Sequence, residues 1–372
     1  MRFISGMNQF TAAEWDTLAG PQPFLRHAFL NALETSGCVS SRTGWQPHHL
    51  GLWRGNQLVA AMPLYLKFHS YGEYVFDWRW AEAFEQSGGR YFPKLLCAIP
   101  FTPVPGPRLL GPSRDDHPQL IRFLLAFIQE QGLSSFHCLF PDDVSDQIMD
   151  QANLLSRQGY QFHWPNQGYS RFEDFLAALS HDKRKRIRQE RRKVHDAGIR
   201  FETRSGKDIH ESDWDFFHQC YVRTYRQHRS SPYLNREFFQ LLGETMLQHT
   251  MMVLGYRYDK LVCSALNFYD SERLYGRYWG ALEHVPGLHF ETCYYQGMEF
   301  CIDRKLKVFE GGAQGEHKLA RGFMPVVTKS RHWLRDNDFR HTVSDFLLRE
   351  KHALNNYVNE LGNPYKAKMD NF

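Results

Sequence analysis

Paired cysteines are missing from this chain. Its seven cysteines (Cys38, Cys97, Cys138, Cys220, Cys263, Cys293 and Cys301) are scattered, odd in number and form no CxxC pair. That pattern excludes a disulfide framework and the usual zinc spacings, and it predicts reduced thiols in a cytoplasmic protein. The 19 histidines show no paired helical spacing with acidic residues, so no metal is expected. No apolar run reaches the length that spans a bilayer, and Met1–Phe10 lacks the apolar core of a signal peptide. Excess charge is also absent. A formal net charge of +4 argues against a surface built for duplex DNA and leaves anion binding to local patches.

What remains is a globular composition, 42% hydrophobic and 15% aromatic over 372 residues, enough for two domains. An apolar stripe from Phe24 to Ser36 predicts a helix stopped by Gly37. His49–Trp53 and Leu58–Leu66 form a hairpin pattern around Gly55-Asn56, with Pro63 forcing an edge or a bulge in the second run. Tyr71–Trp80 reads as a further strand, Leu120–Gln131 as a helix ending at Gly132, and Ser135–Phe140 as a strand.

The order then recurs. Met251–Tyr256 and Leu261–Tyr269 form a second hairpin pattern around Asp259-Lys260. Leu58–Met62 aligns with Leu261–Ala265, and Tyr71–Tyr74 with Tyr275–Tyr278. Two copies of one mixed α/β unit are expected, with the boundary near Trp164-Pro165-Asn166: residues 1–165 and 166–372. Between them, His181–His195 holds eight lysines and arginines against Asp182 and Glu190. Ser180 as N-cap and Gly198 as stop predict a helix, on which Arg184, Arg188 and Arg192 offer bidentate donors to a phosphate. A solvated, ion-paired helix is the plain alternative.

The densest chemistry lies in Phe309–Phe323. Four glycines (Gly311, Gly312, Gly315 and Gly322) sit among Glu310, Gln314, Glu316, His317, Lys318 and Arg321, just after a predicted strand at Leu306–Phe309. Glycines there let a ligand approach the main chain, and strand ends are where open α/β sheets bind ligands. Upstream, a strand over Leu274–Leu282, a Pro286-Gly287 loop and a helix over Phe290–Arg304 would present free N–H groups to an anion.

The strings Leu288-His-Phe-Glu-Thr-Cys-Tyr-Tyr-Gln-Gly-Met-Glu-Phe300 and Gly311-Gly-Ala-Gln-Gly-Glu-His-Lys318 resemble the FemAB-like family, named for peptidoglycan biosynthesis or recognition, within the GNAT-type acyltransferase superfamily. Gly44-Trp-Gln-Pro47, Ala61-Met-Pro-Leu-Tyr65 and Tyr71-Gly-Glu-Tyr74 extend the resemblance over almost the whole chain. It implies two tandem GNAT-like domains, each a mixed, mostly antiparallel sheet flanked by helices, and an N-acyltransferase acting on a small-molecule or cell-wall-precursor amine. The GNAT pyrophosphate loop, Arg/Gln-x-x-Gly-x-Gly/Ala, is missing at the start of the Phe290 helix, so the donor stays open between acyl-CoA and aminoacyl-tRNA. Fem transferases, which use tRNA, are similar in their tandem domains; the long helical arm that they insert has no counterpart here.

Acyl transfer needs an amine stripped of its proton and a stabilised oxyanion. Glu316 and His317 are the first candidates for base or proton relay, with Glu291 behind them. Gly312, Gln314, Gly315, Lys318 and Arg321 are candidates for substrate or cofactor binding, and Tyr278 and Trp279 for an acyl channel. A helix-capping Glu291, a structural His317, ion pairs from Lys318 and Arg321 to Glu310 and Glu316, and core aromatics are the structural alternatives. A non-catalytic module binding cell-wall precursor or RNA is the competing function.

Overall fold

The computed structural model describes residues 1–312 and 315–365. The first strands and helices are β1 (Arg2–Ile4), α1 (Ala12–Ala19), α2 (His27–Thr35), β2 (Trp45–Pro47), β3 (His49–Arg54), β4 (Gln57–Met62) and β5 (Leu64–Lys67). After them come α3 (Trp78–Gln86), β6 (Lys94–Cys97), α4 (His117–Gln131), β7 (Ser135–Leu139) and α5 (Asp143–Gln151). Pro63 does more than bulge a strand. It ends β4, which pairs with β3 in a three-stranded sheet, and the chain resumes as β5 between β2 and β6 in another. Proline has no N–H to carry the ladder through that switch.

The strand expected at Tyr71–Trp80 is not formed. Gly72 and Tyr74 take φ of 80° and 63°, incompatible with extended backbone, and α3 begins at Trp78. The proposed equivalence of Tyr71–Tyr74 with Tyr275–Tyr278 therefore pairs a loop with a strand. Leu58–Met62 and Leu261–Ala265, by contrast, both lie in the second strand of a hairpin.

The chain continues through β8 (Leu155–Pro165), α6 (Phe172–Ala178), α7 (His181–Asp196), β9 (Ile199–Ser205), α8 (Glu211–Gln227), α9 (Arg236–Thr245), β10 (Thr250–Arg257), β11 (Lys260–Tyr269) and β12 (Arg273–Ala281). Helix α10 follows over 288–304, with a π-helical stretch at Glu291–Tyr295, then β13 (Val308–Glu310), β14 (Met324–Leu334) and α11 (Asn337–Glu360). Two compact units result. One comprises Met1–Gly159 and Val327–Glu360; the other comprises Tyr160–Val326 and the described residues from Leu361. A single cut at 165 differs from this arrangement, because Ser330–Leu334 of β14 pairs with β7 and so returns to the first unit.

Each unit is a mixed, mostly antiparallel sheet flanked by helices, as expected from the resemblance. The first unit orders its main sheet β2-β5-β6-β7-β14, and the second orders β8-β13-β12-β11-β10-β9. In the second unit, α10 lays Tyr294, Tyr295, Met298 and Cys301 onto Leu274, Phe309 and Phe323. Gly297 permits that approach, since a Cβ there would lie 2.6 Å from Phe309. On the opposite face α8 crosses β12 so closely that a Cβ on Gly280 would meet the Cys220 carbonyl at 2.1 Å.

Candidate active site in the second unit

The site begins where two parallel strands part. β12 and β13 pair only from Arg273 to Tyr275 against Val308 to Glu310. β12 then runs on to Ala281 while β13 stops, and Gly311 and Gly312 turn away. A register shift against β11 makes Arg277 the extra residue of a bulge between Gly276 and Tyr278, and bulges re-aim side chains. The gap is a pocket of about 400 Å³ whose walls include Arg277, Trp279, His289, Tyr294, His317 and Lys318.

Two aromatic–histidine pairs face this space. Trp279 packs against His289 with ring centroids 4.5 Å apart and the planes tilted by 43°, and the Tyr294 hydroxyl lies 2.9 Å from His317 Nε2. Burial lowers the pKa of His289 to about 4, partial desolvation lowers that of the more exposed His317, and the cations Lys318 and Arg321 add to both effects. Both rings are consequently neutral near pH 7 and able to accept a proton. Lys318 is 2% exposed; its ammonium donates to the Gly312 carbonyl at 2.9 Å, and burial brings its pKa down to about 8. Gly312 and Gly315 take φ of 83° and 117°, which favours glycine, and the His317 ring folds back over Gly315.

Arg321 does not line the pocket. Fully buried, it lies 3.3 Å over the Phe290 ring, donates to Glu190 at 2.7 and 3.1 Å, and donates to the His317 carbonyl at 2.6 Å. Neither ion pair expected for it, with Glu310 or Glu316, forms. The Glu190 carboxylate also accepts from the Tyr295 hydroxyl at 2.5 Å. The basic helix α7 is thus bolted to the His317 turn through the one acid on its inward face.

Glu291 stands apart from His317. Its carboxylate is held by Arg191 at 2.9 Å and Gln296 at 2.9 Å, and it lines a different depression with Arg192, His195 and Glu299. Burial raises its pKa, against the pull of Arg191. It is placed as an anchor for α7 rather than as a base at the pocket. Glu316 is exposed and does not line the pocket either. Gln314 lies outside the described residues. Tyr278 reaches the rim, but its ring packs edge-on to Tyr221 and Phe239 of α8 and α9, in the core manner, whereas Trp279 faces the space.

Sequence reasoning missed Tyr294, Glu190 and Glu310. Glu310 is 4% exposed, and burial lifts its pKa to about 7 even though Arg273 donates to one oxygen at 2.9 Å; the other oxygen has no hydrogen-bond partner. Glu190 carried a legible signal, an isolated acid three residues from Ile187 and four from Val194, the buried positions of α7. On the outer face of α7, Arg184, Arg188 and Arg192 share a shallow depression with Lys185. Arg188 bonds Glu173 at 2.7 Å, while Arg184, Lys185 and Arg192 have no ion-pair partner among the described residues.

Among the described residues no group of three or more metal-ligating side chains could hold an ion, and no helix is long and apolar enough to cross a membrane. The FemAB-like family profile, described as peptidoglycan biosynthesis/recognition, matches residues 6–367. No curated protein matches the chain in sequence. Among solved structures, FemX aligns over 92% of this chain and 100% of its own, at 9% identity and a TM-score of 0.53. The C-terminal domain of a protein assigned as a lysylphosphatidylglycerol synthetase from Agrobacterium fabrum aligns over 92% and 95%, at 10% identity and 0.54. L-PGS from Bacillus licheniformis aligns over 86% and 94%, at 11% identity and 0.50. At such identities the likeness is one of fold.

Proposed function

The chain belongs to the FemAB-like family, and from that membership we propose that it is an N-acyltransferase moving an acyl or aminoacyl group onto the amine of a cell-wall precursor. The observation that carries this reading is the Tyr294–His317 pair beside buried Lys318 in the opening between β12 and β13. The acceptor nitrogen attacks the acyl carbonyl carbon, and the carbonyl electron pair moves onto oxygen. Lys318, with donors left over beyond its bond to Gly312, faces the developing negative charge. His317 takes the proton that the amine sheds. Its ring is steered by the Tyr294 hydroxyl, whose pKa burial pushes well up, so the phenol keeps its proton. Collapse of the intermediate breaks the bond to the CoA sulfur or the tRNA oxygen, which takes from His317 the proton the amine shed and leaves as the neutral thiol or hydroxyl.

The outer face of α7 supports a phosphate-bearing donor. Four cations on one helix face suit either CoA phosphates or a tRNA backbone, and the Glu190–Arg321 contact ties that helix to the pocket. Both donor classes are made in the cytoplasm, the compartment this reading requires. The test is to incubate the protein separately with acyl-CoAs and with aminoacyl-tRNAs plus an amine acceptor, and to look for the amide by mass spectrometry. An amide from one donor class is expected; none from either contradicts the proposal.

A further inference from the structure

The charge of the pocket limits which amine can enter it. Arg277 and Lys318 both line it, and no aspartate or glutamate does among its described lining residues. The nearby acids pair outside the pocket: Glu310 with Arg273, though it also lies within electrostatic reach of Arg277, Glu291 with Arg191, and Glu190 with Arg321. Lys318 makes one bond, to a neutral carbonyl, and has no carboxylate partner among the described residues. A buried cation in that state is electrostatically incomplete, and an anion that reaches it gains a charge-assisted hydrogen bond. A simple polyamine would bring positive charge to a wall of positive charge. An amine with a carboxylate nearby meets complementary groups at both ends, the carboxylate at Arg277 and one of the two remaining Lys318 donors, the other being left for the oxyanion, and the nitrogen at the neutral imidazoles.

We infer that the pocket selects an amine acceptor that carries a carboxylate, an amino acid or the amino-acid end of a larger molecule, with Lys318 and Arg277 as the specificity-determining cations. This rests on the acyl-transfer reading and adds the substrate class to it. Arg277 is placed for the task by the bulge that sets it outside the regular alternation of β12. Trp279 and Tyr294 supply flat walls for the aliphatic part of such a ligand.

The experiment is calorimetric titration of the full chain at pH 7.5 with L-lysine and with 1,5-diaminopentane, which differ by one carboxylate, and with inorganic pyrophosphate as a competitor. Lysine is expected to bind at least about tenfold more tightly than the diamine, the worth of one hydrogen bond to a charged group. Arg277→Gln and Lys318→Met should each shrink that preference, and Lys318→Arg should restore part of it. Pyrophosphate, an anion with no amine for the imidazoles, should displace lysine only at concentrations well above the lysine dissociation constant. Equal or tighter binding of the diamine, absence of lysine binding at millimolar concentration, indifference to both substitutions, or pyrophosphate binding more tightly than lysine would overturn the inference. Because Lys318 is buried, Arg277→Gln keeps the test open if Lys318→Met does not fold. The readout is binding, so it separates the two ideas: amide formation on the diamine as readily as on lysine removes the selectivity and keeps acyl transfer, whereas carboxylate-dependent binding without any amide product does the reverse.

Discussion

Replacing Glu190 by alanine should loosen the whole wall of the site. Arg321 is fully buried and, among the described residues, its guanidinium has one carboxylate partner, Glu190, whose own side chain is 15% exposed. Removing one member of a buried pair costs about 3–5 kcal/mol, because the remaining charge has lost its compensation. The partial exposure of Glu190 favours the lower end, about 3 kcal/mol, and the Tyr295 hydroxyl loses its acceptor for roughly 1 kcal/mol more. The assay is hydrogen exchange read on peptides from 181–196, 288–304 and 316–323, the segments the pair joins. A combined loss of about 4 kcal/mol corresponds to exchange faster by roughly a thousandfold there. Adding Arg321→Met to Glu190→Ala should cost less than the sum of the single changes, since the stranded charge is then gone. Exchange within about twofold of the parent, together with an additive double variant, would refute the claim that this pair fastens α7 to the His317 turn.

Two further outcomes follow from the same structure. Burial raises the folded pKa of Glu310 from 4.5 to about 7, so the folded state disfavours its charged form. The destabilisation is complete above pH 7 and absent below pH 4.5, so stability from this group falls as pH rises between those values. Glu310→Gln should remove that slope and stabilise the protein by about 1–3 kcal/mol at pH 8, measured by urea unfolding at several pH values; an unchanged slope would refute it. Replacing Arg184, Arg188 and Arg192 together by glutamine should weaken aminoacyl-tRNA binding, with the slope of log K against log salt shallower by about 2, near 0.7 for each phosphate no longer neutralised; an unchanged slope would remove α7 from that role.

Elements with local signals were legible in the sequence. The stripe Leu120, Leu124 and Ile128 followed by a left-handed Gly132 announces α4, and the second hairpin, expected to turn at Asp259-Lys260, turns one residue earlier, at Tyr258 and Asp259, both with positive φ. Tyr71–Trp80 misled because aromatic β propensity says nothing about the positive φ at Tyr74. At the site, the glycine-rich turn and His317 stood out because titratable groups seldom crowd among glycines. Glu291 looked catalytic beside His289, yet Arg191, a hundred residues earlier, claims its carboxylate. Glu316 adjoins His317 in the chain, yet adjacency does not put both side chains in one pocket. Tertiary pairing settles such roles, and no spacing rule encodes it.

The central claim is that the pocket between β12 and β13 transfers an acyl group with His317 handling the proton. The most direct measurement is the rate of amide formation by the parent chain and by His317→Ala, followed across pH with folding checked by circular dichroism. The account predicts a rate lower by about 10²–10⁴ for the variant, and parental activity that persists to pH below the ordinary histidine range before it falls. A His317→Ala protein that is folded and as fast as the parent would contradict it.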